Sequence, residues 1–322
     1  MGAGTADQHG RPIVAIVGMT ATGKSDLALD LAEALGGPDA VEVVNADAMQ
    51  LYRGMDIGTA KVPHAQRRGI VHHQLDVLEV TEEASVAAYQ RHARADLDAV
   101  RRRGRLPLLV GGSALYIRAA LDRLEFPGTD PQLRAELTRR AETDGPDALH
   151  AELASADPDA AARIDPRNTR RVVRALEVVT LTGRPFSATL PEHVYAVPAV
   201  QLALDVPRDE LDRRIDERAR RMVEGGLLDE TERLLAVGLD RGTTASRAVG
   251  YAQARDVLAG RLTAAEGITA IARATRQLAR RQEKWFRRDP RVTWLPGGDG
   301  AGPRASLTAA LRTLGESTKG MP

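Results

Sequence analysis

The sequence contains no cysteine, which removes disulfides, Cys-ligated zinc and thiol catalysis and is compatible with a reducing cytoplasm. Aromatic residues are only 3% of the 322, too few for the stacking platforms of a single-strand nucleic-acid binder. No aliphatic run approaches the ~20 residues that span a bilayer, so no membrane association is expected. Charge of one sign is also missing. Lys plus Arg number 45 against 44 Asp plus Glu, a formal net charge of +1, and any polyanion partner must be read from local clusters. The seven histidines are scattered without ligand spacing, which argues against a protein-built metal cage. Met1–Gly10 lacks the basic start and apolar centre of a secretory signal and reads as a disordered tail. The expectation is a cytoplasmic protein of about two domains, with a monomer as the default state.

What is present begins with a phosphate cradle. The apolar run Ile13–Val17 leads into Gly18-Met19-Thr20-Ala21-Thr22-Gly23-Lys24-Ser25, and Leu27, Leu31, Ala34 and Leu35 then share one helix face. Glycines let successive amides turn onto an anion, Lys24 supplies a point charge, Ser25 can reach a magnesium ion, and the helix presents its positive end. Val41–Asn45 reads as a second short strand ending at Asp47, which places that carboxylate at the sheet edge where ligands bind. Leu51–Lys61 is polar and glycine-punctuated, an expected active-site loop. A crossover helix is predicted over Ser85–Arg103, and a third strand, Leu106–Val110, runs into Gly111-Gly112-Ser113 and a helix from Ala114 to about Leu121.

The pattern changes near Phe126-Pro127-Gly128. From Asp130 to about Gly183 it is helical throughout, with breaks at Gly145-Pro146, Asp157-Pro158 and Asp165-Pro166. Residues 126–199 are thus expected to form an all-helical insertion between two parts of a core, 11–125 and 200–296. The second part reads as a strand at Val200–Val206, helices at about 208–223, 226–237, 247–259 and 263–288, and a last strand at Val292–Leu295. Residues 297–322 are expected to be mostly flexible apart from a short helix at Leu307–Leu314. The fold class is α/β, a P-loop parallel sheet carrying an all-helical insertion.

Charge is concentrated in two places. Arg163–Arg174 holds five arginines and one acid, and Arg273–Arg291 holds seven arginines and one lysine against two acids. Either run could be a solvated helix face or a surface that tracks a nucleic-acid backbone. For the cradle the first guess is ATP. A guanine-reading Asn-Lys-x-Asp is absent, however, as is a strand ending in a carboxylate pair suited to hydrolysis. The isolated Asp47 suits acceptance of a proton from a nucleophile, or else caps a turn. The residues therefore read as a transferase whose donor carries a diphosphate or triphosphate, with Lys24 and Ser25-bound magnesium neutralising its charge.

Asp47–Lys61, Leu108–Tyr116, Asn168–Glu177, Arg247–Tyr251 and Thr275–Gln282, taken with the cradle, are similar in order and wording to the bacterial tRNA dimethylallyltransferases, also called tRNA isopentenyltransferases. The resemblance covers about Ile13 to Leu295 and implies a P-loop kinase-like fold, a magnesium ion as cofactor, and dimethylallyl diphosphate and the tRNA anticodon stem-loop as partners. It further implies transfer of a dimethylallyl group to the exocyclic amine of an adenine beside the anticodon. By that resemblance Asp47, Lys24 and Ser25 are catalytic, and Gly18, Thr20, Ala21, Thr22, Gly23, Lys24, Ser25 and Ser113 bind the donor diphosphate. Asp47, Ala48, Met49, Gln50, Ser113, Arg134, Arg170, Arg171, Arg174, Arg247, Gly250 and Tyr251 contact the tRNA, the target base being flipped out. Met19 stands where the family commonly has proline, Ser25 and Ser113 where it has threonine, and Ala48 where it has serine. Ala48 removes a possible hydrogen bond to the nucleic acid. An adenylate prenyltransferase, a small-molecule kinase and a nucleotide-gated RNA switch share the cradle, and the arginine-rich insertion disfavours the first.

Overall fold

The computed structural model describes residues 12–189 and 193–319; the expected tail at 1–10 lies outside them. The chain divides into two compact units, one formed by Asp122–Ala196 and the other by the chain on either side of it.

The larger unit is a six-stranded parallel sheet in the order β3-β2-β4-β1-β5-β6. Its strands are β1 Ile13–Val17, β2 Val41–Asn45, β3 His72–His73, β4 Leu106–Val110, β5 Ala199–Asp205 and β6 Val292–Pro296. β1 and β2 are buried at every residue, as strands covered on both faces must be. β3 escapes sequence reading because it is only two histidines, paired with Val43 and Val44 at the sheet edge. Helices α1 Lys24–Ala34, α2 Val86–Arg102 and α3 Ala114–Leu121 belong to this unit. Leu27 and Leu31 of α1 are buried as their spacing predicts, whereas Ala34, in the last turn, is exposed.

The smaller unit is helical: α4 Pro131–Thr143, α5 Pro146–Ala156, α6 Pro158–Arg163, α7 Thr169–Thr182 and α8 Phe186–Thr189. Three of these helices begin with proline in the first turn, where its missing N–H costs nothing. Asp130, Asp157 and Asn168 cap α4, α6 and α7 by accepting from backbone amides. Leu137, Leu149, Leu153, Ile164, Val172 and Leu176 form their own core. The unit starts and ends somewhat earlier than the expected 126–199, because Arg123 N–H donates to the Val194 carbonyl (2.8 Å) and ties the entering and leaving chain together.

Back in the larger unit follow α9 Arg208–Glu224, α10 Leu227–Ala236, α11 Tyr251–Leu258, α12 Ala264–Phe286 and α13 Gly302–Lys319. α13 corrects an expectation. The stretch after β6 is not mostly flexible, since an 18-residue helix packs against α1 and β6 with Ala309 and Ala310 buried and Leu307, Leu311 and Leu314 against the core. The Gly-Pro pair at 302–303 reads as a breaker, yet proline in a first helical turn is compatible with the helix it precedes.

Candidate active site

The site is built at the carboxyl ends of the central strands, where a parallel sheet leaves its crevice. After β1 the chain turns through Gly18 (φ 120°), Ala21 (φ 65°) and Gly23 (φ 93°) before entering α1. The left-handed conformation is inexpensive for glycine and costs Ala21 about 1 kcal/mol. Thr22 is buried and its hydroxyl donates to the Met19 carbonyl (2.9 Å), closing the loop on itself. Thr20, Ala21, Gly23, Lys24 and Ser25 line a cavity of about 630 Å³ with Asp47, Gln50, Gly111 and Gly112. Gly18, Thr22 and Ser113, expected among the diphosphate contacts, do not line it.

Lys24 Nζ donates to the Met19 carbonyl. Burial drives its pKa down to about 8; the Asp47 carboxylate opposes that shift and the Arg218 cation adds to it. Asp47 is placed by a turn. Asn45 Oδ1 accepts from Asp47 N–H (3.1 Å) and Asn45 Nδ2 donates to the Asp47 carbonyl (3.0 Å), while Asp47 Oδ1 accepts from Met49 N–H (3.0 Å). Asp47 therefore caps a short 3₁₀ turn, Ala48–Leu51, and also lines the cavity. Ser113 serves this turn: its Oγ accepts from Ala48 N–H (3.1 Å). Gly111 permits the close approach of the two strand ends, because a Cβ there would sit 2.2 Å from the Ala46 carbonyl oxygen.

Two residues missing from the sequence-based site complete the cradle. Arg218 of α9 donates to Thr20 Oγ1 (3.3 Å) and to the Thr59 carbonyl (3.4 Å). Burial lowers its pKa, the Asp47 carboxylate opposing, but a guanidinium stays charged throughout the working range. Gln282 of α12 accepts from Thr20 N–H (2.9 Å) and donates to the Gly112 carbonyl (2.9 Å), joining the two glycine junctions. Arg218 is one of several arginines on its helix and carries no local signal. Gln282 does carry one, as a polar residue on the buried stripe of Ala279 and Phe286.

A second, more apolar cavity of about 230 Å³ adjoins the first, and Thr20, Asp47, Thr59 and Arg218 line both. Met49, Ile215, Met222, Val249, Ile271 and Leu278 supply its apolar wall, with Arg247 at its edge. Tyr251 and Gly250, expected to touch the tRNA, are buried. The Tyr251 hydroxyl donates to Glu230 (2.6 Å), so this side chain supports the loop around Gly58. Lys61, in the segment that looked catalytic, is a clamp with its Nζ on Asp56 and Asp76 (2.6 Å each) and on the Tyr52 carbonyl (3.0 Å).

In the smaller unit, Arg134 and Arg174 both pair with buried Glu177 (2.7 Å each), and Arg174 also donates to the Pro127 carbonyl (2.8 Å). Burial pushes the Glu177 carboxyl up, but these two arginines and the Asp130 amide hold it below its ordinary value. Arg170 and Arg171 are exposed and carry no ion pair among the described residues. Arg134, Arg170 and Arg174 line a groove of about 480 Å³ between α4 and α7. The second basic run is divided likewise: Arg276, Arg287 and Arg291 pair with Asp216, Asp205 and Asp289. Among the described residues Arg280, Arg281, Lys284 and Arg288 do not pair, and exposed Trp285 lies among them.

The IPP transferase model matches residues 50–289 of this chain. The chain belongs to the IPP transferase family. A tRNA dimethylallyltransferase of Kineococcus radiotolerans is 58% identical over 307 residues, spanning 94% of this chain and 95% of that one. One of Thermobifida fusca is 58% identical over 88% and 89% of the two chains. Among solved structures, the full-length tRNA isopentenylpyrophosphate transferase of Bacillus halodurans superposes with a TM-score of 0.68 at 38% identity, covering 96% of this chain and 98% of that one. A eukaryotic dimethylallyltransferase acting on tRNA superposes at 0.83 with 25% identity, covering 97% and 80%. The P-loop-like parallel sheet is the fold that this family shares.

Proposed function

We propose that this family member transfers a dimethylallyl group from dimethylallyl diphosphate to the exocyclic amine of the adenosine 3′ of the anticodon in tRNA, releasing diphosphate. The observation that carries the reading is the position of Asp47 on the wall common to a cation-lined cavity and an apolar one. The diphosphate lies over the cradle, against Lys24, Arg218 and the loop amides. As the bond from the allylic carbon to oxygen breaks, its electron pair passes to the diphosphate, and these fixed positive charges stabilise the oxygen that receives it. The adenine amine attacks the allylic carbon and its proton passes to Asp47. The Met49 amide holds one carboxylate oxygen, which fixes the orientation of the other.

The donor set fits magnesium held mostly by the substrate. No cluster of three or more His, Cys, Asp or Glu suited to a metal occurs among the described residues, and Ser25 offers one hydroxyl in the cavity. When bound, the ion neutralises diphosphate charge. Arg134, Arg170, Arg171 and Arg174 of the helical unit contact the anticodon stem, and Ala48, Met49, Gln50 and Arg247 hold the flipped base. The unpaired Arg170 and Arg171 support tRNA over free adenylate as acceptor. The reaction belongs in the cytoplasm, where its tRNA substrate is modified. The test is incubation of the protein with labelled dimethylallyl diphosphate and either unmodified tRNA or AMP, followed by digestion and mass measurement of the nucleosides. Prenylated adenosine is expected in tRNA only, falling at least about 10²-fold in Asp47→Ala. Unmodified tRNA after incubation with folded wild-type protein refutes the assignment.

A further inference from the structure

Glu230 of α10 is 4% exposed and lines neither cavity of the site. Its carboxylate accepts from the backbone amides of Asp56 (3.2 Å), Ile57 (3.0 Å) and Gly58 (3.3 Å) and from the Tyr251 hydroxyl (2.6 Å). No cation pairs with it among the described residues. Three successive amides turned onto one anion form a nest, the arrangement by which proteins hold phosphates, filled here by a side chain of the same chain. Burying a carboxylate without a counter-charge costs several kcal/mol before its hydrogen bonds are counted, so its place in a core calls for a reason.

The loop that it holds supplies one. Gly58 lies flat against Tyr251, where a Cβ would come within 2.4 Å of the ring. The next residue, Thr59, offers a carbonyl that accepts from Gln50 Nε2 (3.1 Å) and from Arg218 (3.4 Å). Its hydroxyl is fixed on the Met55 carbonyl (2.6 Å). One backbone oxygen thus sets both a side chain beside Asp47 and the half-buried cation that faces the cradle. We infer that Glu230 is a positioning residue for group transfer: by gripping the Asp56–Gly58 amides it fixes the Thr59 carbonyl, which aligns Gln50 on the acceptor and Arg218 on the donor diphosphate. This rests on the reading that Gln50 and Arg218 face the two substrates.

The test uses Glu230→Gln, which turns an amide group toward N–H donors, and Tyr251→Phe, which removes one bond and keeps the ring. Steady-state kinetics are measured with both substrates, with equilibrium binding of unmodified tRNA and hydrogen exchange of the loop amides alongside. In Glu230→Gln, kcat is expected to fall about 10²-fold while the tRNA Kd changes less than about threefold, the pattern of lost alignment. Tyr251→Phe is expected to lower kcat about fivefold, within the range of one lost hydrogen bond. Adding Gln50→Ala to Glu230→Gln is expected to cost no more than the worse single change, because both act through one carbonyl. Amides at Ile57–Thr59 should exchange faster while those of β1 and β4 do not. An unchanged kcat in an active background, a loss that tracks the folded fraction, or losses that multiply in the double variant overturn the inference. If Glu230→Gln does not fold, an unchanged kcat in Tyr251→Phe does so. A wild-type protein that makes no prenylated adenosine refutes the reading of the site, and loop exchange still reports whether Glu230 holds the loop.

Discussion

Lys24 makes the affinity for the donor depend on pH in a way that can be worked out in advance. Burial places its pKa at about 8, against 10.5 for a free lysine. That difference corresponds to about 3 kcal/mol by which the cradle disfavours its own ammonium. The unfolded chain binds more protons between those two values, so this group's contribution to stability rises with pH from about 8 to 10 in the free protein. A bound diphosphate reverses the balance by restoring a counter-charge. Binding above pH 8 must therefore take up a proton, about 0.9 at pH 9 against about 0.1 at pH 7, and the affinity falls about tenfold between those pH values. The last proton of a diphosphate monoester titrates near pH 6 and is spent before that window opens. Calorimetry of dimethylallyl diphosphate binding, in buffers of different ionisation enthalpy, reads the proton count directly. Lys24→Arg, which stays charged throughout, should bind with no such slope. A flat wild-type affinity from pH 7 to 9, or the same slope in Lys24→Arg, refutes the reasoning.

Glu177→Ala leaves Arg134 and Arg174 facing each other without a counter-charge. Its expected cost is about 2–3 kcal/mol, at the lower end for a broken buried pair because Arg134 is 44% exposed, and urea unfolding checks it. Because the Glu177 carboxyl is held low in the folded state, its contribution is present above the ordinary carboxylate range and lost as pH falls through its lowered pKa; Glu177→Gln should remove that part of the acid transition. Replacing Arg170 and Arg171 by Glu should weaken tRNA binding uniformly and reduce its log–log salt slope by about 1–2, which a salt series of filter-binding measurements reads.

Much of the fold was legible because its signals are local. A buried run followed by a glycine cradle and an amphipathic helix, or an Asp-Pro at a helix start, declares itself within a dozen residues. For Thr22 and Ser113 the sequence does not show that each hydroxyl bonds a nearby backbone group. Tyr251 is buried, which a motif match does not report. Arg218 was missed for the opposite reason. Nothing in its arginine-rich helix marks which of several cations points inward, and only the packing of Ile215, Ala219 and Met222 turns it toward the site. The basic runs were legible as charge but not as function, since carboxylates distant in sequence, Asp205 and Asp216 among them, neutralise some arginines and leave others open.

The bond from Thr20 N–H to Gln282 spans 262 residues, and that from Arg218 to Thr20 spans 198. A ribosome releases the phosphate loop early and its two partners late, after the whole helical unit has emerged. The growing chain therefore holds an anion loop lacking both the cation and the amide that complete it, and catalytic competence waits until α12 has emerged. Contacts this distant in sequence are also slow to form once the chain is free, because the loop they close must first lose its entropy. Recovery of activity after dilution from denaturant should accordingly lag behind recovery of helical signal.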